Sequence, residues 1–362
     1  MIRLPNLSKA HLFIRATRSD AKAFSLPYNL TSRALSAMSI PENCHVVLIE
    51  QPGGVDAMKY TTQPVGKPAA GQIVVKNSFI GVNFIDTYHR SGLYPVKLPF
   101  VIGREGAGTV VATGEGSHLK VGDRVAYLSG SSYAEYTTVP EGFAAKLPSQ
   151  ISDETGAASV LQGLTAWTQL TQDCPIKAGD TILVWAAAGG TGSLQVQVGK
   201  HLGAKVIGIC STSKVDIVKS LGADHVIDYT KEDVAARVKE ITNGEGVDAV
   251  FDGVGKTSFD ISLACLKVPG GWMVSFGNAS GPVDPVPLSK INVGNFRLMR
   301  PTLFNRIKTG EQFQTASKQL FDFIAGGTVK CAVHKVYPLK DAAVAHTDLQ
   351  SGKTTGKLLL KP

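Results

Sequence analysis

Closely spaced cysteines are missing from this sequence. Its five cysteines, Cys44, Cys174, Cys210, Cys265 and Cys331, are scattered over 362 residues and form no CxxC pair. Metal sites and redox pairs depend on close spacing, and disulfide scaffolds on density, so five reduced thiols in a reducing compartment are expected. Long apolar runs are lacking too. With no stretch of about 18 apolar residues, the sequence offers no membrane-spanning helix. There is no internal repeat and no low-complexity tract. What remains is a soluble globular composition, 43% hydrophobic and 18% charged, in a chain too long for one comfortable core and suited to two domains.

Acid is scarce at the start of the chain. Residues 1–37 contain Arg3, Lys9, Arg15, Arg18, Lys22 and Arg33 against a single Asp20. Of the 37 basic and 29 acidic residues, this leaves 31 and 28 for the body, which is nearly balanced. The net charge of +8 is therefore mostly a property of the leader and is weak support for a nucleic-acid partner. Arginines, serines and threonines among Ile, Leu and Phe give residues 1–37 the composition of a mitochondrial transit peptide, which implies the matrix. Pro5 and Pro27 bound a segment in which Leu12, Phe13, Arg15 and Arg18 suit a basic amphipathic helix. The competing reading is an extension arising from start-site choice, since a start at Met38 would give a cytoplasmic form.

From residue 44 to about 160, short β runs are broken by Gly and Pro: CHVVLIE (44–50), GQIVVKNSFIGV (71–82), GAGTVVATG (106–114), DRVAYL (123–128) and YAEYTTV (133–139). This series predicts a compact β-rich domain over 38–164. Ser152 then opens a helix with a good N-cap. Beyond it, strands TILVWAA, KVIGIC, HVIDY, VDAVFDGVG and GWMVSFG alternate with helical stretches, and RLMRPTL adds a sixth strand. Such alternation predicts an α/β doubly wound parallel sheet over 165–303. Residues 304–362 supply a helix and the strands HKVYPL and KLLLKP, expected to return to the first domain.

Strand TILVWAA runs into Ala187-Ala188-Gly189-Gly190-Thr191-Gly192, an AxGxxG form of the dinucleotide fingerprint. Small residues let the backbone approach a pyrophosphate, and the following helix presents free N–H groups and its positive end. The strand–turn–helix–strand context is what gives the motif its weight. Enzymes of this design that use NAD carry an acid about 20 residues later for the ribose 2′-hydroxyl. Here the second strand ends Cys210-Ser211-Thr212-Ser213-Lys214, with no carboxylate at its tip and a lysine that would attract a 2′-phosphate. The expected cofactor is NADPH.

The segment IGVNFIDTYHRSGLYPVKLPFVIGREGAGTV, with VGDRVAY, LQGLTAW, AAAGGTG, VSFGNASG, MRPTL and YPLKDAAVAH, resembles the zeta-crystallin-like quinone oxidoreductases of the medium-chain dehydrogenase/reductase superfamily. The resemblance spans about residues 44–362. It implies a GroES-like β-rich catalytic domain plus a Rossmann cofactor domain, and a homodimer joined through the latter. Where the zinc-dependent branch has Cys and His, this chain has Asn83 and Arg104. Only Glu105 of that set remains, and the four-cysteine lobe is missing, so no metal is expected. A quinone accepts hydride without a Lewis acid, whereas a simple ketone is poorly served.

By the same resemblance, Asn83, Asp86 and Tyr94 line the nicotinamide end of the cleft, with Asp86 equally open to a purely structural role. Gly189, Gly190, Thr191 and Gly192 meet the pyrophosphate, while Ser211, Lys214 and Tyr229 form the 2′-phosphate pocket. Phe276, Gly277 and Asn278 fall near the nicotinamide ribose, with Thr165 close by. Gln162 stands where some relatives have Lys. Two other functions are carried along: an NADPH-dependent alkenal or enone reductase, and an RNA-binding role of the kind associated with zeta-crystallin-like proteins. The second is secondary, given the balanced body and the lack of an RNA-binding motif.

Overall fold

The computed structural model describes residues 40–362. The transit-peptide reading of residues 1–37 and the alternative start at Met38 lie outside the described residues.

The chain first builds β1 (Asn43–Ile49), β2 (Lys59–Pro64), β3 (Gln72–Val82), helix α1 (Phe84–Ser91), β4 (Phe100–Val101), β5 (Glu105–Thr113), β6 (Arg124–Leu128), β7 (Tyr136–Pro140) and β8 (Ala144–Lys146). Helix α2 (Asp153–Thr168) follows. The alternating part is β9 (Thr181–Val184), α3 (Gly190–His201), β10 (Lys205–Cys210), α4 (Val215–Ser220), β11 (His225–Asp228), α5 (Val234–Ile241) and β12 (Ala249–Asp252). It continues with α6 (Phe259–Ala264), β13 (Trp272–Ser275), α7 (Ser289–Asn292) and β14 (Arg297–Met299). The tail is α8 (Gly310–Ala325), β15 (Val333–Pro338), α9 (Ala342–Gln350) and β16 (Lys357–Lys361).

Strands β9–β14 make one sheet in the order β11-β10-β9-β12-β13-β14, and every ladder in it is parallel. Helices cover both faces of such a sheet, so its strands read as continuous apolar runs; AVFD of β12 is buried at all four positions. The strand order reverses beside β9, which opens a crevice at the carboxyl ends of the strands. The GroES-like part is the ladder β15-β16-β3-β5-β6-β8, with β7 also on β3, and a smaller sheet β2-β1-β4. The two tail strands thus complete the sheet begun by β3, with Leu358, Leu359 and Leu360 facing Val82, Gly81 and Ile80.

Helix α2 joins the two cores. Ser152 caps it, its hydroxyl accepting the Thr155 N–H at 3.1 Å. Ala157 and Leu164 enter the core beneath β5, β6 and α8, while Ala166 and, just beyond the helix, Leu170 enter the core of the parallel sheet.

Two local features depart from the sequence expectation. Residues 84–91, expected only as part of a β-rich region, form α1. The Asp86 carboxylate reaches back to the Asn83 N–H at 2.9 Å, and Gly92 ends the helix in the left-handed region at φ 80°. The strand expected over 181–187 stops at Val184, because Ala186 takes φ 50° and turns the chain into the glycine-rich loop. That conformation is costly for a residue with a Cβ and is held here by the turn itself, the Gly189 N–H donating to Ala186 O at 2.8 Å.

Candidate active site

The crevice floor is the turn between β9 and α3. Gly189 precedes the helix in extended conformation, and no side chain among the described residues caps it. The first-turn amides of α3 are therefore left for an anion. The space is made by missing side chains. A Cβ on Gly192 would lie 2.3 Å from Ala186 O, and one on Gly190 2.3 Å from the Gln162 side chain. Thr191 stands between them. Such a cradle fits a pyrophosphate. Gln162 borders this turn from α2, and Thr165, one turn on, donates its hydroxyl to Leu161 O at 2.7 Å.

At the tip of β10, Ser211 leads into a single 3₁₀ turn that ends at Lys214. The Lys214 ammonium donates to Gly352 O at 2.6 Å and Thr354 O at 2.7 Å, fastening the loop between α9 and β16. Burial pulls its pKa below the ordinary lysine value. Two of three ammonium protons are thereby used and one is left for a further acceptor. Tyr229 presents a half-exposed ring, 53% accessible, with its N–H on Cys210 O.

The tip of β10 has no acid, but β11 brings Asp228 into register beside Cys210. Its carboxylate accepts the hydroxyls of Thr212 and Thr230, which hold its pKa below the usual carboxylate range. This acid belongs to the next strand in the sheet, and only the parallel register brings it alongside.

At the end of β13, Gly277 lies so close to Gly253 that a Cβ would sit 2.1 Å from the Gly253 carbonyl, and the Phe276 ring covers Gly253. Asn278 is gripped from the other lobe. Its N–H donates to the Tyr88 hydroxyl at 2.8 Å and its side-chain amide to Tyr94 at 3.2 Å. Arg300, just past β14, donates to Asn278 Oδ1, to the Tyr94 hydroxyl and to the carbonyls of Ser275 and Gly277. Tyr88 and Tyr94 meet edge to face with centroids 5.1 Å apart. Burial pushes Tyr88 up to about 12, so its phenol stays neutral. The structure thus brings Tyr94 together with Asn278, Arg300 and Tyr88. Tyr88 lies in the NFIDTY stretch and Arg300 in MRPTL, but nothing local in either stretch indicates these partners.

Asn83 and Asp86 are placed differently from Tyr94. Asn83 is buried and both ends of its amide are engaged: Nδ2 donates to Glu105 Oε1 at 2.8 Å, and Oδ1 accepts from Lys357 Nζ at 2.7 Å. Asp86 is fully buried. Besides the Asn83 N–H it accepts the Tyr133 hydroxyl at 3.1 Å. Behind Tyr133 stands His346 at 3.0 Å, whose Nδ1 accepts from Arg90 at 3.1 Å. Arg90 can only donate, so His346 carries its proton on Nε2 and donates to Tyr133, which in turn donates to Asp86. Desolvation, opposed by the Asn83 N–H and the Lys357 charge, pushes Asp86 up to about 7. The two residues hold the start of α1 in place; the Asn83 amide is engaged at both ends, whereas Asp86 uses only Oδ2 and its buried Oδ1 has no hydrogen-bond partner among the described residues.

The donor set does not suit a catalytic zinc. Such a site takes three anionic or imidazole ligands and an open position. Here Asn83 is bonded on both sides, Arg104 brings a guanidinium that points at His89 Nε2 (3.3 Å), and the Lys357 ammonium lies against Glu105. Among the described residues, no cluster of three metal-binding side chains occurs. Two cations at the place of the metal would repel a dication.

Comparison with known proteins agrees with this geometry. Residues 69–149 match the family model described as alcohol dehydrogenase GroES-like domain, and residues 221–360 match the one described as zinc-binding dehydrogenase. A probable quinone oxidoreductase of Schizosaccharomyces pombe is 40% identical over 87% of this chain and 96% of its own length. This chain belongs to the quinone oxidoreductase family. Within the medium-chain superfamily, this quinone oxidoreductase-like chain also superposes on the Escherichia coli quinone oxidoreductase solved as a complex with NADPH. That match has a TM-score of 0.85 and 42% identity, and covers 88% of this chain and all of that one. A 2-haloacrylate reductase of Burkholderia sp is 37% identical over 87% of this chain and 98% of that protein. Among the described residues, the zinc in the second family description has no matching ligand set.

Proposed function

We propose that this chain is an NADPH-dependent quinone reductase that works without a metal. The observation that carries the reading is the pairing of an open phosphate cradle with a metal position filled by Asn83, Arg104 and Lys357. NADPH, a proton and a quinone give NADP⁺ and the hydroquinone; the cofactor supplies the hydride. Gly189, Gly190, Thr191 and Gly192 hold the pyrophosphate, and Ser211, Lys214 and Tyr229 the 2′-phosphate. Phe276, Gly277 and Asn278, clamped by Arg300, bound the nicotinamide ribose, and Tyr94 faces the acceptor. Positioning of the two reactants then does most of the catalytic work. The proton comes from solvent, because Asp86 is sealed off. In this reading residues 38–164 and 304–362 form the catalytic domain and 165–303 the cofactor domain.

A steady-state screen of the purified protein tests the assignment. Turnover is expected with 1,2- and 1,4-quinones and NADPH, faster than with NADH, and chelators should leave it intact. Stoichiometric zinc whose removal abolishes activity would overturn it. A second acceptor class has its own support: the 37% identity to a 2-haloacrylate reductase extends over almost all of that protein. An electron-poor alkene also takes hydride without a Lewis acid, so enals belong in the same screen.

The same reading includes a homodimer. β14 ends the parallel sheet, no strand among the described residues pairs its outer edge, and Leu288, Val293 and Leu298 are exposed nearby at 84%, 78% and 41%. An open edge with apolar neighbours favours a second copy. Light scattering should give twice the chain mass at micromolar concentration; a monomer would count against it. The leader is proposed to direct import into the mitochondrial matrix. Residues 1–37 fused to a fluorescent reporter should reach mitochondria, and the form starting at Met38 should stay in the cytoplasm. A diffuse full-length fusion would leave start-site choice as the explanation.

A further inference from the structure

Lys357 is 1% exposed, yet it carries an ammonium. Buried lysines are rare unless paired, and this one is paired twice, with Glu105 and with Asn83 Oδ1. Glu105 is itself fully buried. Besides Lys357, its Oε1 takes the Asn83 Nδ2 proton and its Oε2 the Leu161 N–H of α2 at 2.8 Å. The cluster therefore joins four segments: the start of β16, the start of β5, the residue before α1, and the middle of α2.

The residue before Lys357 reaches the phosphate turn. Gly356 N–H donates to Ala188 O at 2.8 Å, and Gly356 bridges Gly189 in parallel fashion. Gly356 takes φ 54°, and a Cβ there would lie 2.3 Å from Ala332 O, so the backbone at this point has one available course. From the other end, Asn83 leads directly into α1, which carries Tyr88 and is followed by Tyr94, the two tyrosines that grip Asn278. A continuous set of contacts thus runs from the pyrophosphate cradle through Gly356, Lys357, Asn83 and α1 to the acceptor side of the crevice.

We propose that Lys357 is a positioning residue for the reduction: its buried ammonium orients Asn83, and through Asn83 fixes α1 and its two tyrosines relative to the phosphate turn. The proposal rests on the reductase reading above. A purely structural ion pair would satisfy Glu105 and nothing more. The orientation of Asn83 distinguishes the two roles, because an amide held between a cation at Oδ1 and a carboxylate at Nδ2 cannot flip without placing donor against donor and acceptor against acceptor.

The test uses the full chain. Lys357→Met alone leaves Glu105 charged and unpaired, which is strongly destabilising. Lys357→Met combined with Glu105→Gln removes both charges and is the second variant. Turnover is measured with NADPH and 1,4-benzoquinone, or an enal if the wild type prefers it, per cofactor site titrated by NADPH fluorescence, so that unfolded material does not count. In both variants kcat should fall by about tenfold or more while the dissociation constant for NADPH changes by less than about threefold, as expected for loss of geometry rather than of binding. Adding Asn83→Ala should then cost at most about a further twofold, because the lysine acts through that residue. Turnover per site within about twofold of wild type would overturn the proposal and leave an ion pair that serves stability. A loss of NADPH affinity matching the loss of turnover would overturn it too, assigning the lysine to the cofactor turn. So would losses that multiply with Asn83→Ala. A wild type that reduces neither acceptor would instead sink the reductase reading itself, a result that the variants cannot imitate.

Discussion

Replacing Lys214 with alanine is expected to raise the Michaelis constant for NADPH by roughly ten- to a hundredfold, while that for NADH changes little. A 2′-phosphate carries about two negative charges. The Lys214 ammonium has one proton left after its bonds to Gly352 O and Thr354 O. A charge-assisted contact to a phosphate at a half-buried site is worth about 1.5–3 kcal/mol, and each 1.4 kcal/mol is roughly a factor of ten. The substitution also frees the loop between α9 and β16, an effect that both cofactors share, so the NADH series measures it directly. A smaller effect would transfer the recognition to Ser211 and Tyr229. Equal weakening of both cofactors would make Lys214 a structural lysine and remove it from the 2′-phosphate pocket.

Gly192→Ala should weaken both cofactors together, by about a hundredfold or more, which corresponds to about 2.8 kcal/mol. The added Cβ would meet Ala186 O at 2.3 Å, Ala186 C at 2.9 Å and Ala187 Cα at 3.0 Å. All three are backbone atoms, so no rotamer change relieves the contact. The turn must open, and Ala186, already at φ 50°, has little room to follow. The first-turn amides of α3 then lose their aim at the pyrophosphate, a group common to NADPH and NADH. Fluorescence titration with each cofactor checks this, and Gly66→Ala, whose Cβ would meet nothing within 4 Å, is the control. Affinities within about threefold of wild type would show that the cradle tolerates a methyl group and that the close approach inferred for it is wrong. The two substitutions therefore test the two halves of the proposed cofactor site separately: the glycine is expected to matter for either dinucleotide, the lysine only for the phosphorylated one.

How much of the site could be read from the chain depends on how local each signal is. The glycine turn is a run of neighbours whose role follows from the strand before it and the helix after it, and the parallel sheet follows from the alternation that surrounds it. α1 was less visible, although Asn83, Asp86 and Gly92 stand at cap and end positions, because eight residues between two β runs give little periodicity. Asp86 was open to either a structural or a substrate role until its carboxylate was seen facing Tyr133 and the Asn83 N–H. The resemblance implies that Asn83 lines the nicotinamide end of the cleft; the fold adds that its amide is engaged on both sides by Glu105 and Lys357.

By itself, the sequence determined the β-rich first region, the doubly wound second one and the glycine-rich turn that opens α3. Each of these depends on residue types within a few positions of one another, where backbone propensity and turn chemistry act directly. Tertiary structure alone decided the partners of Lys357, 274 residues from Asn83, of Arg300, 206 residues from Tyr94, and of Asn278, 190 residues from Tyr88. No local rule marks a lysine at the head of an apolar strand as the partner of a buried glutamate. That pairing exists because β16 returns to lie on β3 beside the phosphate turn, where burial leaves each charge no solvent, so each is met by the other and by the polar groups of Asn83 and Leu161.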